Sequence, residues 1–219
     1  MEFSDVEVHG FKPAIMFMRN PLKSYHLADS DFGQPDDANF IIGEKDYDLA
    51  KRLCIGGDVH RKWMRMVFVW VNITMPRYLA QEFDTYQYIP KSTESTMHTL
   101  RKQEFNQSNF EFDWDSAPTY MTEAMNHMIE ALKMARDDMN KAEGEEKAKL
   151  LRCIKGMLPE GFLHTRGVCM NYEHLARMYE QRKDHRLKEW NTDFVNWVHT
   201  LPYSEFITHE WDGVDTSAE

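Results

Sequence analysis

Two periods of hydrophobicity alternate along the chain. Met66-Val67-Phe68-Val69-Trp70-Val71-Asn72-Ile73-Thr74 is β-branched and aromatic, carries no 3.6-residue stripe and ends before Pro76, a pattern that predicts a buried strand. Pro76 suits the first turn of a helix on which Tyr78, Leu79, Glu82 and Phe83 share a face. From Pro118 to Ala142 the period changes. Met121, Ala124, Met125, Met128, Ile129, Leu132, Met134, Ala135 and Met139 fall at helical spacing between charges, which predicts one helix of about 24 residues. Glu143 to Met157 repeats the pattern through Ala148, Leu150, Leu151 and Ile154 and ends at Pro159, with Gly144 marking the break between two helices. Phe162 to Met170 predicts a second strand, and Asn171 is placed to N-cap a helix running through Leu175, Met178 and Tyr179. Leu187 to His199 predicts a further helix, with Trp190, Phe194, Trp197 and Val198 on one face.

Elsewhere the pattern is less regular. The first fifty residues set short apolar runs (Pro13 to Met18, Phe40-Ile41-Ile42) between turn residues, predicting a strand and irregular coil with an acidic loop from Asp29 to Asp37. Tyr86 to His98 contains Pro90 and the small polar run Ser92-Thr93-Glu94-Ser95-Thr96, which is a loop, or a loop entering a helix at Met97. From Thr200 to Glu219 there are five acidic residues and no Lys or Arg, so a poorly ordered or partner-docked acidic tail is expected over about 203–219. Strands interspersed with long helices make the class α+β. The length favours a single domain over 1–219, large enough to need no staples.

Composition narrows the function classes. Lys and Arg number 26 against 36 Asp and Glu, a net charge of −10, which disfavours a nonspecific nucleic-acid binder because such binding rests on released counterions. Hydrophobic residues make up 42% of the chain, an ordinary globular share once glycine is added. Cys54, Cys153 and Cys169 are three and far apart, neither a disulfide framework nor a zinc site, and fit a reducing compartment. The start, Met1-Glu2-Phe3-Ser4-Asp5, lacks a signal-peptide pattern, and no apolar stretch is long enough to span a bilayer. A soluble, cytoplasmic protein with no membrane or nucleic-acid partner is the expectation.

The chain holds no GxGxxG, GxxxxGK[ST], HExxH or CxxC, so Rossmann, P-loop, zincin and thioredoxin readings lose local support. No two of its 10 His stand at ligand spacing beside a carboxylate, and no metal is expected. Two clusters stand out. Ser92-Thr93-Glu94-Ser95-Thr96-Met97-His98 offers hydroxyls, a carboxylate and an imidazole at a turn, suited to an anion or a nucleobase or, more simply, to capping a helix. Lys155, Arg166, Arg177 and Arg182 surround Leu158-Pro159 and Asn171. They would suit a phosphate or carboxylate if they converge, and otherwise are solvated surface charge.

Taken in order, these features resemble the flavin-dependent thymidylate synthases, most of all the divergent branch found in phages and their bacterial hosts. That family runs from a strand through Ala-Pro into Arg-His-Arg-x-x-Ser-x-Asn-Glu-x-Ser-x-Arg. Here Val67-Phe68-Val69-Trp70 and Thr74-Met75-Pro76 match the lead-in, and Thr93-Glu94-Ser95-Thr96-Met97-His98 matches the second part with one residue inserted upstream. Lys155-Gly156-Met157-Leu158-Pro159, Asn171 and Arg182 fall without gaps on the family's Arg-x-x-Leu-Pro, Asn and Arg. The resemblance covers roughly Gly57 to Leu201. There are departures. Tyr86-Gln87-Tyr88 replaces Arg-His-Arg, His98 and Lys155 replace arginines, and Glu173 stands where the family tends to a basic residue.

The resemblance implies an antiparallel or mixed sheet packed against long helices, a homotetramer with active sites at its interfaces, and methylation of deoxyuridylate (dUMP) at C5. Methylenetetrahydrofolate would donate the carbon, reduced FAD the hydride, and NADPH would reduce the flavin, with no protein nucleophile. It assigns Lys155 and Arg182 to the nucleotide phosphate, Glu94, Thr96 and His98 to the nucleotide's sugar, base or phosphate, and Asn171 to the flavin. Tyr86, Gln87 and Tyr88 occupy the flavin-binding stretch, where the two tyrosines either stack on a planar ring or pack an interface. The altered clamp admits another pyrimidine such as deoxycytidylate, or a hydroxymethyl product. Two other readings remain open: a nucleotide-binding protein on the same scaffold without flavin or catalysis, and an α+β interaction protein whose acidic tail is the contact surface.

Overall fold

The computed structural model describes residues 1–32 and 40–211. Four strands, β1 (Glu2–His9), β2 (Phe68–Pro76), β3 (Lys91–Thr93) and β4 (Leu163–Asn171), form an antiparallel sheet in the order β1-β2-β4-β3. The register of β2 on β4 is fixed at three points. The Tyr172 N–H donates to Val67 O at 3.0 Å, the Arg77 N–H donates to Phe162 O at 3.2 Å, and the Thr74 and Thr165 hydroxyls lie 2.8 Å apart. The α+β class is therefore observed. The chain divides into two compact units, one of Met1–Asn72 with Gly167–Glu219, the other of Ile73–Arg166.

In the first unit, β2 alternates. Val67, Val69 and Val71 are buried, whereas Phe68 and Trp70 are 39% and 43% exposed. The expected strand is present but only one of its faces is covered. Aromatic residues on the open face hide the alternation from a hydrophobicity count. Of the strand and irregular coil expected before residue 50, a strand (β1) and an irregular stretch are present, but two helices, α1 (Phe11–Phe17) and α2 (Glu44–Ile55), flank that stretch. Pro13 falls in the first turn of α1, where a missing N–H breaks no bond, and Phe11, Ala14, Ile15 and Met18 are buried at helical spacing. Gly10 precedes it at φ 102°, and a Cβ there would lie 2.2 Å from Met66 O, so only glycine fits. The N-terminus of α2 is capped from a distance: Asp29 accepts the Lys45 and Asp46 N–H groups at 2.9 and 3.1 Å. Of the expected acidic loop, residues 33–37 lie outside the described residues.

Asn171 caps α7 (Tyr172–Arg182) as expected, its side chain accepting the His174 N–H at 2.9 Å while His174 Nδ1 accepts the Asn171 N–H. The helix expected over Leu187–His199 opens as a π-helix (Glu189–Phe194) before α8 (Val195–His199). The wider turn still buries Trp190, Phe194, Trp197 and Val198. The expectation for the tail fails as far as residue 211. Leu201, Phe206, Ile207 and Trp211 are buried, α9 covers Glu205–Thr208, and Tyr47 and Tyr172 donate to Glu205 and Pro202 O at 2.8 and 2.6 Å. Aromatic anchoring outweighs the acidic composition there. Residues 212–219 lie outside the described residues.

In the second unit, α5 (Thr119–Lys141) and α6 (Gly144–Met157) form the expected helical hairpin, with Gly144 at φ 54° in the break. Its core joins Ile129, Leu132, Met139 and Ile154 to Leu100, Phe105, Phe110, Leu158 and Phe162. Each large side chain buried there contributes about 1.5–3 kcal/mol. Met121 and Met134, counted in the apolar stripe, are exposed instead. After Pro76, α3 (Arg77–Phe83) buries Leu79, Ala80 and Phe83, with Tyr78 and Glu82 half-buried. The run expected as a loop contains the short strand β3, and α4 (Thr96–Thr99) begins one residue before Met97.

Candidate functional site

In the second unit, the register of β2 on β4 sets Ile73 against Arg166 and Met75 against His164, on the covered face of the sheet. An arginine and a histidine two residues apart on such a face need partners. Arg166, 7% exposed, donates from one terminal nitrogen to Asp84 Oδ1 at 2.8 Å, and Lys91 Nζ reaches the same oxygen. The Nε of Arg166 and the Nε2 of His164 are buried with no hydrogen-bond partner. Burial pushes the Asp84 carboxyl up, but hydrogen bonds from Lys91 and Arg166, with their charges, hold it below its ordinary value. Burial and the charge of Arg166 lower the His164 pKa against an opposing pull from Glu94, so its imidazole is neutral at pH 7.

Of the residues assigned from the sequence, Glu94 and the 86–88 stretch lie beside this cluster, and Thr96, His98 and Lys155 belong to the same unit. Glu94 follows β3 directly; its N–H donates to Thr165 O at 3.1 Å and its carboxylate accepts the Thr165 N–H at 3.0 Å. Glu94 thus sits beside the His164–Arg166 stretch, with one carboxylate oxygen committed to the strand. Thr96 is half-buried at the start of α4 and His98 exposed at its end, where the His98 and Thr99 N–H groups both donate to Ser95 O. Tyr86, Gln87 and Tyr88 lie between Asp84 and Lys91, whose side chains meet. Tyr86 is half-buried, edge-on to Phe83 with ring centres 6.3 Å apart. Tyr88 is 88% exposed and holds a left-handed φ of 63°. Lys155 is exposed on the last turn of α6, followed by buried Leu158.

The other assigned residues belong to the first unit. Asn171 spends its carboxamide oxygen on the cap of α7. Arg182 is half-buried on the last turn of that helix, its guanidinium 4.7 Å from the Trp190 ring centre, a cation–π contact. Arg177 is exposed. Glu173, unusual by the family pattern, is buried and forms an ion pair with Arg61 at 2.8 Å, and Arg61 also reaches His209 Nε2 at 3.2 Å. Cys54 is buried, which pushes its thiol up to about 12, so it is no nucleophile at neutral pH. Among the described residues no group of three or more His, Cys, Asp or Glu is placed to hold a metal ion.

Asp84, Lys91 and His164 were missed as neighbours of Arg166. The signal was present for His164 and Arg166, since two ionisable residues at i and i+2 on one face of a strand require a polar answer from elsewhere in the fold. No protein-family model matches the chain, and no curated protein matches it. Solved structures do. The crystal structure of the flavin-dependent thymidylate synthase ThyX from Helicobacter pylori complexed with FAD and dUMP is 19% identical, covers 96% of this chain and 98% of its own, and superimposes with a TM-score of 0.69. The fold is ThyX-like. A second structure of the Helicobacter pylori enzyme with FAD and dUMP is 18% identical, with the same coverages and TM-score. At 96% of the chain the likeness extends beyond the Gly57 to Leu201 region on which the sequence resemblance rests.

Tyr86 and Tyr88 present two aromatic rings, one half-buried and one exposed, of the kind that stacks on a planar group. The stretch 86–88 carries no cation for the phosphates of a flavin. Arg166 and Lys91, at the base of that stretch, are both paired with Asp84.

Proposed function

We propose that this chain is a flavin-dependent C5-methyltransferase of pyrimidine deoxynucleotides, converting dUMP to dTMP with methylenetetrahydrofolate as carbon donor and NADPH as the source of electrons. The observation that carries this reading is a ThyX-like fold over 96% of the chain, combined with Glu94, Thr96, His98, Lys155, Asn171 and Arg182 standing at the family's positions in sequence. FAD, when bound, supplies hydride chemistry. The chain's own residues bind and orient. Lys155 and Arg182 hold the nucleotide phosphate by charge. Glu94, Thr96 and His98 address the sugar, base or phosphate. Tyr86, Gln87 and Tyr88 line the flavin ring, and Asn171 contacts the cofactor. The exposure of Tyr88, His98 and Lys155 suits residues completed by further copies in a homotetramer. Replacing Arg-His-Arg by Tyr-Gln-Tyr widens the choice of substrate to deoxycytidylate, or of product to a hydroxymethyl nucleotide.

One observation favours a second reading. With no cation at 86–88, the chain is a nucleotide-binding protein that dispenses with flavin. Two measurements separate them. Purified protein that is yellow, or becomes so with added FAD, supports the enzyme; protein that stays colourless counts heavily against it. A rise in the thermal midpoint with dUMP or deoxycytidylate supports nucleotide binding, because a ligand of the folded state alone stabilises it. If neither moves the midpoint, the nucleotide assignment fails and an interaction protein is left.

A further inference from the structure

Arg166 and Lys91 converge on one carboxylate, and the geometry of that meeting bears on the loop above it. Asp84 directly follows α3 and Lys91 opens β3, so their contact closes the loop 85–90 at its base. Arg166 ties the same carboxylate to β4 at 2.8 Å. Ile89, 6% exposed, anchors the far side. Tyr88 stands out between these anchors with 88% of its surface open and a left-handed backbone. A tyrosine keeps that conformation only where its surroundings impose it. The lysine alone is a weak tie, since an exposed ammonium–carboxylate pair contributes little and is screened by salt. Arg166 is different: packed on all sides, with a planar fork that cannot swing, it offers Asp84 one direction of approach.

We propose that Arg166 is a positioning residue which, through Asp84, fixes the 85–90 loop and so holds the Tyr88 ring away from the sheet as a stacking platform for the flavin ring. The identity of the ring rests on the function proposed above; the clamp on the loop does not. An apolar side chain at 166 would fill the sheet face equally well but leave the loop on its lysine tie.

Hydrogen exchange on the full chain without ligand tests the clamp. Arg166→Leu and Asp84→Asn are expected to speed exchange of the 85–89 amides about threefold while α5 stays protected, and Arg166→Lys, which keeps the charge but not the fork, to restore only part of the protection. Unchanged loop exchange in both variants overturns the proposal, as does acceleration spread evenly over the chain, which would make Arg166 a residue of the core alone. Should Arg166→Leu fail to fold, Asp84→Asn carries the test, because that side chain is 46% exposed. FAD titration followed by flavin fluorescence tests the platform. Dissociation constants about tenfold higher in the same two variants, with the dUMP-induced thermal shift retained, support it. Loosened loops with unaltered FAD affinity overturn it. A wild-type chain that takes up no FAD removes the proposed function and the platform together, while the exchange data still decide the clamp.

Discussion

Two arginine–aspartate pairs, one in each unit, solve the same problem differently. In the first unit Arg19 and Asp46 are 4% and 0% exposed by side chain, and Asp46 Oδ1 receives Arg19 Nε at 2.6 Å. Its other oxygen receives the Ser30 hydroxyl and the Asp29 and Ser30 N–H groups at 2.6–3.1 Å. The network is closed. In the second unit Asp84 is half open to water, answers two cations, and leaves Arg166 Nε without a partner. A closed network fixes a fold, because every polar group is satisfied internally and any deletion strands a charge. An open one retains positive charge for use, and it lies next to the residues assigned to a ligand.

Substitutions sharpen the contrast, since closed residues should move stability and open ones ligand affinity. The largest effect is expected for Asp46→Asn, which leaves the buried Arg19 uncompensated: about 3–5 kcal/mol lost in urea unfolding. A loss near zero would show that the network is dispensable. Arg182→Ala should weaken dUMP binding by about 1.5–3 kcal/mol, the range of charge-assisted bonds, as read by calorimetry; unchanged affinity would reduce Arg182 to its contact with Trp190. Asn171→Ala removes a helix cap and should cost about 1 kcal/mol of stability. Asp84→Asn, in a half-exposed pair, should cost less than about 1 kcal/mol, and a loss equal to that of Asp46→Asn would erase the distinction.

Acid provides a further test. The Asp46 carboxyl is raised by burial, but bonds from Ser30, Arg19 and Asp29 bring it below its ordinary 3.8. A carboxyl with a lowered folded-state pKa stabilises the fold fully above its unfolded value and loses that contribution as pH falls through the folded one. The stability difference between the wild type and Asp46→Asn should therefore hold at neutral pH and shrink below about pH 3.8.

Much of the fold was legible in the sequence where one period dominates a long run. The α5–α6 hairpin, both central strands and the Asn171 cap follow from spacing and from side chains with strong local preferences. Short elements escaped. The helix α1 follows a left-handed glycine that offers no side-chain cap, and α2 takes its cap from Asp29, so neither has a capping side chain next to its first turn. The ordered segment 200–211 depends on tyrosine and tryptophan contacts from distant parts of the chain, which composition does not register. For the site, spacing marked Glu94, Lys155, Asn171 and Arg182, while Asp84 and Lys91 became visible only when the chain returned to pair them with Arg166.

The remote cap on α2 also has a kinetic side. Lys45 and Asp46 offer their amides to Asp29, and Asp46 returns the favour to the Asp29 and Ser30 backbone. The first turn of this helix therefore cannot finish ahead of a contact that closes a loop of about sixteen residues, and that closure must be met in entropy before any bond rewards it. The helix and its distant cap should form and melt as one event, with the Lys45 and Asp46 amides exchanging at the rate of that joint opening and not by fraying from the helix end.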